Sequence, residues 1–472
     1  MEGKRGTWNS NFGFIMAAVG SAVGLGNIWG FPYKMGSSGG FAFLLIYLIL
    51  AVLIGSVVMI GELAMGRRSG RGAVGAYAKL ASPKFRWVGW MAVLSSFLIM
   101  SFYSVLGGYC LKYMVVNLGD MLGMSFGSNG LNGGDMFTML LENQVECVVY
   151  TLLIMVIGAA IVMGGISGGI ERFSKYAMPA LFLLLIVVII RSVTLDGAME
   201  GLKFMFSPNF KPFEEDFIAV LSLAGGQMFF SLSLGMGIMI TYGSYLPRRE
   251  NIQRNALVVI FADTTASILS GMAVIPAAFA LGGDGAAMAG PKLLYVTLHN
   301  VFNSMGDIGP FIGMLFYLLV VIATVTSVIS LIEVITTFFM DNAANHGKTG
   351  NRRKITFFVS LAIMALATLV AADGLGTNGI WMPFQIFGVS SWNDCWLSFM
   401  DMLSEGVMMP LGALLMCLFI SYEWGVDRVV TEMERCGDRF VGRKFFTLCF
   451  KVIAPLGMVF ILWGQLKVFG LV

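Results

Sequence analysis

Two acids, Glu62 and Asp263, sit inside apolar runs, Val57 to Met65 and Ile260 to Ala266. A carboxylate within a membrane-spanning helix costs roughly 3 kcal/mol, so such an acid marks a functional site by default. The stretch Val19 to Asn27 sets Gly20, Gly24 and Gly26 close together in an apolar run over 11–31, with Gly30 and Pro32 just beyond. Ser231 to Gly237, with Gly235 and Gly237, repeats this pattern half a chain later. A helix opened in its middle frees carbonyls and amides that hold ions and a polar ligand, and such backbone is tolerated at membrane depth only where it is buried or lines a cavity. Glycines that merely let helices pack closely are the bland alternative. Two such helices in matching positions favour the broken-helix reading. A third polar patch, Thr324, Thr326 and Ser327, lies in the apolar run 310–340, where bonding of Ser and Thr to their own helix is the competing explanation.

The elements that must position these residues are membrane spans. Hydrophobic residues make up 57% and charged residues 12%, and mean hydropathy is +0.82, which excludes a soluble globular domain. The net charge of +3 follows topology and implies no nucleic-acid partner. At roughly 20 apolar residues per span, eleven helices are expected, over 11–31, 40–66, 86–117, 144–164, 172–193, 217–245, 252–282, 310–340, 353–372, 395–422 and 444–470. Lys and Arg gather in every second connection (4–5, 67–86, 172–175, 248–254, 348–354 and 428–444), and the other face keeps Lys34, Lys112, Arg191, Lys203, Lys211, Lys292 and Lys467. The positive-inside rule then puts the N-terminus in the cytoplasm and the C-terminus outside, in a multi-pass plasma (inner) membrane protein. No cleavage site follows the charged N-terminus, so a removable signal peptide is not expected.

The expected fold class is all-α, one transporter domain over 1–472. The broken first and sixth spans imply a 5+5 inverted repeat, 1–193 and 217–422, with a peripheral last helix over 444–470. Gly119 to Gly134 reads as a flexible loop, and Asp284 to Asp307 as a lid-like or re-entrant helix. The six cysteines lack CxxC spacing and read as apolar filler. His299 and His346, the only histidines, read as solvated loop residues.

Gly20 to Trp29, followed by Phe31, Pro32 and Tyr33, resembles the first helix of the neurotransmitter:sodium symporters. Glu62 to Arg67 is similar to the end of their second helix, Gly169 to Lys175 with Met178 and Pro179 to the entry of their fifth, and Gly226 to Gly235 to their sixth. The resemblance runs nearly end to end and is to the family's bacterial amino-acid transporters.

That resemblance implies two Na+ sites built from oxygen donors, as a hard cation requires. One would use the carbonyls of Gly20, Val23 and Ala323 with the hydroxyls of Thr326 and Ser327. The other would use Ala22, Asn27, Ser231 and Asp263 with the substrate carboxylate. Many members carry Asn where this chain has Asp263. In chloride-dependent members, positions matching Tyr47, Gln227, Ser231 and Ser267 bind the anion. Asp263 is therefore expected to replace chloride, its protonation neutralising the empty site on the return step.

For the substrate, the resemblance implies an amino acid whose carboxylate meets the Leu25 and Gly26 amides and Tyr103. Its ammonium end meets Ser21, Ala22, Phe230 and Ser231. Its side chain faces Ile99, Ser233, Met236 and Leu331, with Ser327 alongside. In members of that family a bulkier aromatic often stands where this chain has Met236, and a flexible thioether suits a large apolar side chain. A hydrophobic or aromatic L-amino acid is expected, although one Met among 34 also fits as core filler.

The family's inner gate resembles Arg5 with Asp341, helped by Trp8 and Tyr245. At the outer gate, Gly30 stands where an arginine is usual. Lys34 is expected to reach Asp401 in its place. Glu62 is expected to hydrogen-bond unwound backbone. The overall expectation is a sodium-coupled symporter working by alternating access, with a proton-coupled transporter or a non-transporting sensor of the same fold as alternatives. An enzyme is not expected, since no nucleophile–base pair or HExxH appears.

Overall fold

A computed structural model describes residues 6–280, 290–437 and 439–470, and these contain helices and no strand. The first expected span is two helices, α1 (Asn11–Ala22) and α2 (Phe31–Ser37), joined by a wide turn over Gly26–Gly30 and bent by 47°. Ser10 caps α1 by accepting the Gly13 amide. The break begins at Val23, whose ψ of 102° is extended. Thereafter come α3 (Phe41–Ser69), α4 (Pro83–Leu122), α5 (Gln144–Met163) and α6 (Ile166–Val193). The second break separates α7 (Lys211–Ser231) from α8 (Ile238–Gly243). It is followed by α9 (Ile252–Ala280), α10 (Leu298–Ser304), α11 (Gly306–Asn345), α12 (Arg352–Asp373), α13 (Trp396–Trp424) and α14 (Arg443–Val468).

Among the described residues, nine helices are long and apolar enough to cross a bilayer, or ten with α1 and α2 counted together. The expected sixth span does not pass that test, because Glu214, Glu215 and Asp216 crowd the start of α7 and the break leaves α8 only 6 residues long. At 40 residues each, α4 and α11 are about 60 Å long at 1.5 Å per residue, well beyond the hydrocarbon thickness of about 30 Å. They also make the most extensive helix–helix contact. Their apolar windows are 83% buried against 33% for α14, so they form the core and α14 lies on the rim.

Two expectations need correction. His299 is not solvated. It is fully buried in α10, its ring 5.5 Å from that of Tyr113, and burial lowers its pKa. His346 is exposed, as expected. The expected loop over 119–134 begins later, because α4 continues to Leu122; Asp120 then ties it down by accepting the Ser128 amide at 2.6 Å. The segment after Pro291 is helical, as expected, with its apolar residues Leu294, Leu298, Val301 and Phe302 buried.

Candidate functional site

Asp263 sits on α9, fully buried, where both breaks converge. Its Oδ1 accepts from Asn27 Nδ2 at 2.7 Å, Ser231 Oγ reaches both carboxylate oxygens at 2.9 Å, and Tyr47 Oη reaches Oδ2 at 3.2 Å. Ser267 Oγ closes the ring, 2.9 Å from Asn27 Nδ2. The Asn27 Oδ1 accepts the Gly24 amide at 2.9 Å, so the same side chain satisfies backbone freed by the first break. Gln227 does not join this ring: its Nε2 donates to the Gly26 carbonyl at 2.7 Å. The donors are a carboxylate, an amide and hydroxyls, which suits a hard cation.

The second expected ion site lies where α1 meets α11. A Cβ on Gly20 would stand 3.2 Å from Thr326 Cβ, and Ser327 Oγ donates to the Ser21 carbonyl at 3.2 Å. Thr326 Oγ1 bonds to the Ala323 carbonyl at 2.8 Å, the ordinary habit of a helical threonine.

Between these groups lies a small cavity of about 20 Å³. Ten of the expected substrate contacts line it: Ser21, Ala22, Gly26, Ile99, Tyr103, Phe230, Ser233, Met236, Ser327 and Leu331. Leu25 and Ser231 do not. The Leu25 amide donates to Tyr103 Oη at 2.9 Å, and Ser231 turns to Asp263. Gly24, Ile238 and Ser330 line the cavity without having been expected. The signal for Ser330 was its spacing of three from Ser327, which puts both on one helix face. The cavity is polar on one side, where Ser21 Oγ meets Ser330 Oγ at 2.9 Å and Ser233 Oγ donates to the Ser21 carbonyl at 2.9 Å. Ile99, Met236, Ile238 and Leu331 add apolar lining. Tyr103 and Phe230 flank it with ring centroids 6.1 Å apart.

Backbone conformation at the second break is unusual. Ser233 has φ of 54°, a conformation that costs a non-glycine residue of order 1–3 kcal/mol and clusters at ligand clamps. Gly235 has φ of 79°, and its missing Cβ would meet the Met409 carbonyl at 2.4 Å. Its amide donates to Glu62 Oε1 at 2.8 Å, the expected role for that acid.

At the end of α1, Trp8 Nε1 donates to the Tyr242 carbonyl at 3.1 Å, and its ring meets those of Phe14, Tyr242 and Tyr245 edge-on. Arg5 lies outside the described residues. Asp341 accepts the Gly72 amide at 2.8 Å and has Arg71 3.6 Å away. Tyr245 Oη lies 2.7 Å from Glu333 Oε1 and 2.6 Å from Thr337 Oγ1, and Glu333 pairs with Arg352. Neither Glu333 nor Arg352 was expected, although Glu333 is an acid in an apolar run like Asp263. At the opposite end, Lys34 pairs with Glu405, not with Asp401. Asp401 instead lies against Glu405.

Two interrupted helices around a cavity, with a buried polar ring beside it, define a membrane transporter of the broken-helix kind rather than an enzyme. The sodium:neurotransmitter symporter family matches residues 5–146 and 137–470, and the chain belongs to that family of sodium-dependent transporters. It is 36% identical over 470 residues to the sodium-dependent transporter YhdH of Bacillus subtilis, covering 98% of this chain and 97% of that one. It is 34% identical over 428 residues to a sodium-dependent transporter of Haemophilus influenzae, covering 89% of each. The fold superposes on the crystal structure of MhsT in complex with L-phenylalanine with a TM-score of 0.86 and 35% identity, covering 98% of this chain and 100% of MhsT.

Proposed function

We propose that this protein imports hydrophobic or aromatic L-amino acids with sodium, by alternating access and without chloride. The observation that carries this reading is the cavity, lined both by the hydroxyls of Ser21, Ser233, Ser327 and Ser330 and by the apolar Ile99, Met236, Ile238 and Leu331. A zwitterion bound in it presents its charged end to the break and its side chain to Ile99, Met236, Ile238 and Leu331. The likeness to MhsT, solved with L-phenylalanine, supports the same substrate class.

Two sodium sites belong to this reading. Gly20, Val23, Ala323, Thr326 and Ser327 hold one. Ala22, Asn27, Ser231 and Asp263 hold the other, with the substrate carboxylate. Leu25 serves the substrate carboxylate through its amide once Tyr103 Oη turns to the ligand. Asp263 supplies the negative charge that chloride supplies elsewhere, which its ring of Tyr47, Ser231 and Ser267 supports. Eleven spans, with α7 and α8 as a single broken one, give a 5+5 inverted repeat over 1–193 and 217–422. The rim helix α14 lies outside it. The N-terminus then lies in the cytoplasm and the C-terminus outside, as the loop charges indicate.

The test is binding of an amino-acid panel to the purified protein, with sodium exchanged for potassium and chloride for gluconate. Binding of L-phenylalanine or L-leucine that needs sodium and ignores gluconate is expected. Binding indifferent to sodium would instead favour a proton-coupled transporter.

A further inference from the structure

A second hollow, a groove of about 580 Å³, opens where α5 passes into α6. Gly164 of α5, Gly168, Ala177 and Ala180 of α6, and Ile322 of α11 are among the residues that line it. Small side chains make it: a Cβ on Gly168 would meet nothing within 4 Å. Its volume falls within the roughly 300–1,000 Å³ usual for ligand pockets.

The groove opens toward lipid. Both α5 and α6 are outer helices, with apolar windows only 39% buried, and they expose Leu153, Val156, Leu183 and Ile186. An occupant here must therefore be largely apolar. One end of the groove is charged, however. Arg172, also in the lining, is exposed and has no hydrogen bond or ion pair among the described residues. Its neighbour Lys175 is already held by Glu171 at 2.8 Å. Tyr176 lies four residues beyond Arg172 on the same helix face and is 74% exposed. A snorkelling cation and an exposed tyrosine mark the level of lipid headgroups.

Length and charge narrow the occupant further. From Arg172 to Ala180 the helix rises about 12 Å at 1.5 Å per residue. One leaflet of hydrocarbon is about 15 Å deep, half of the roughly 30 Å core. The groove thus runs from headgroup level through most of one leaflet, as a lipid tail does. The connection 172–175 is one of the cation-rich ones that the positive-inside rule assigns to the cytoplasm. The cytoplasmic leaflet is negatively charged, and basic pockets between spanning helices hold anionic headgroups there.

We propose that this groove binds an anionic phospholipid, with the phosphate at Arg172 beside Gly168 and one acyl chain running past Ala177 and Ala180 to Ile322. The site is separate from the cavity between the two breaks. No residue lines both.

The test uses the full chain in detergent, with lipid retention read by native mass spectrometry. Phosphatidylglycerol and phosphatidylcholine with the same acyl chains are added in turn. Wild type is expected to retain phosphatidylglycerol about 5-fold more tightly, the order of effect of one cation near an anionic surface. Arg172→Gln should bring the two lipids level, and Arg172→Lys should keep most of the preference. Ala180→Phe fills the groove from an exposed position and should weaken retention of both lipids about 10-fold. A phosphatidylglycerol carrying a diazirine on its acyl chain should label the segments 160–180 and 318–326 of wild type. That measurement needs no variant, so it stands if a substitution folds poorly. Glycerol phosphate, a headgroup without a chain, should not displace the label. Equal retention of the two lipids by wild type, labelling confined to other segments, or wild-type retention by Ala180→Phe would overturn the assignment. Neither sodium nor substrate enters the test, so its outcome is independent of the transport reading.

Discussion

Asn27 Nδ2 lies 2.7 Å from Asp263 Oδ1, joining the break in the first span to the middle of α9. The same asparagine accepts the Gly24 amide, so the backbone opening and the buried acid are one hydrogen-bonded unit. Replacing Asp263 by Asn removes the fixed charge while keeping the side chain's size. We expect substrate binding by Asp263→Asn to become chloride-dependent, weakening about 10-fold when gluconate replaces chloride, a difference of about 1.4 kcal/mol. Titrations in the two salts, run beside wild type, read this directly. Equal binding of the variant in both salts would remove Asp263 from the anion account.

Gly24 stands where any side chain would collide with the site. Its Cβ would lie 2.3 Å from Tyr103 Oη and 2.5 Å from Ser327 Oγ. Gly24→Ala must displace both, and overpacking of this kind costs about 1–3 kcal/mol. We expect sodium-dependent binding to fall by 10-fold or more while the protein stays folded by size-exclusion chromatography.

Met236 caps the apolar wall, 3% exposed, with its carbonyl accepting from Ser96 Oγ at 2.8 Å. A larger ring there shortens the cavity. Met236→Phe is expected to weaken L-phenylalanine and L-tryptophan relative to L-alanine, shifting the affinity ratio by about 10-fold, as size changes in apolar pockets do. Competition binding measures the ratio, and an unchanged ratio would return Met236 to the status of core filler.

Beneath the cavity, Glu333 is fully buried and serves both Tyr245 and Arg352. Removing one partner of a buried ion pair costs about 3–5 kcal/mol because the other charge is left stranded. Glu333→Gln should therefore lower the thermal unfolding temperature in detergent clearly more than Tyr245→Phe, which removes only a hydroxyl. Joint replacement, Glu333→Gln with Arg352→Met, should recover part of the loss.

The sequence reading located residues that must have partners better than it located the partners. Glycine spacing exposed both breaks, because backbone opened in lipid needs small residues and leaves a compositional trace. An acid in an apolar run exposed Asp263 and Glu62 for the same reason, and Glu62 meets the Gly235 amide as expected. The same rule covers Glu333, whereas its partner Arg352 reads in sequence as one of the loop charges. Lys34 was matched to Asp401 because a family pattern fixes that acid. The structure instead satisfies the lysine with Glu405, since reach across helices depends on side-chain direction that spacing does not encode. A polar residue in a connecting segment reads as solvated, whereas α10 turns His299 inward against Tyr113. Gln227 left the Asp263 ring because a freed carbonyl, Gly26, competed for its amide.

The most direct test of the central claim is uptake of L-phenylalanine into proteoliposomes driven by an inward sodium gradient in chloride-free medium. Accumulation with sodium that vanishes when potassium replaces it is the result predicted. Accumulation that ignores sodium, or that requires chloride, would contradict the roles given to Asn27, Asp263 and Thr326.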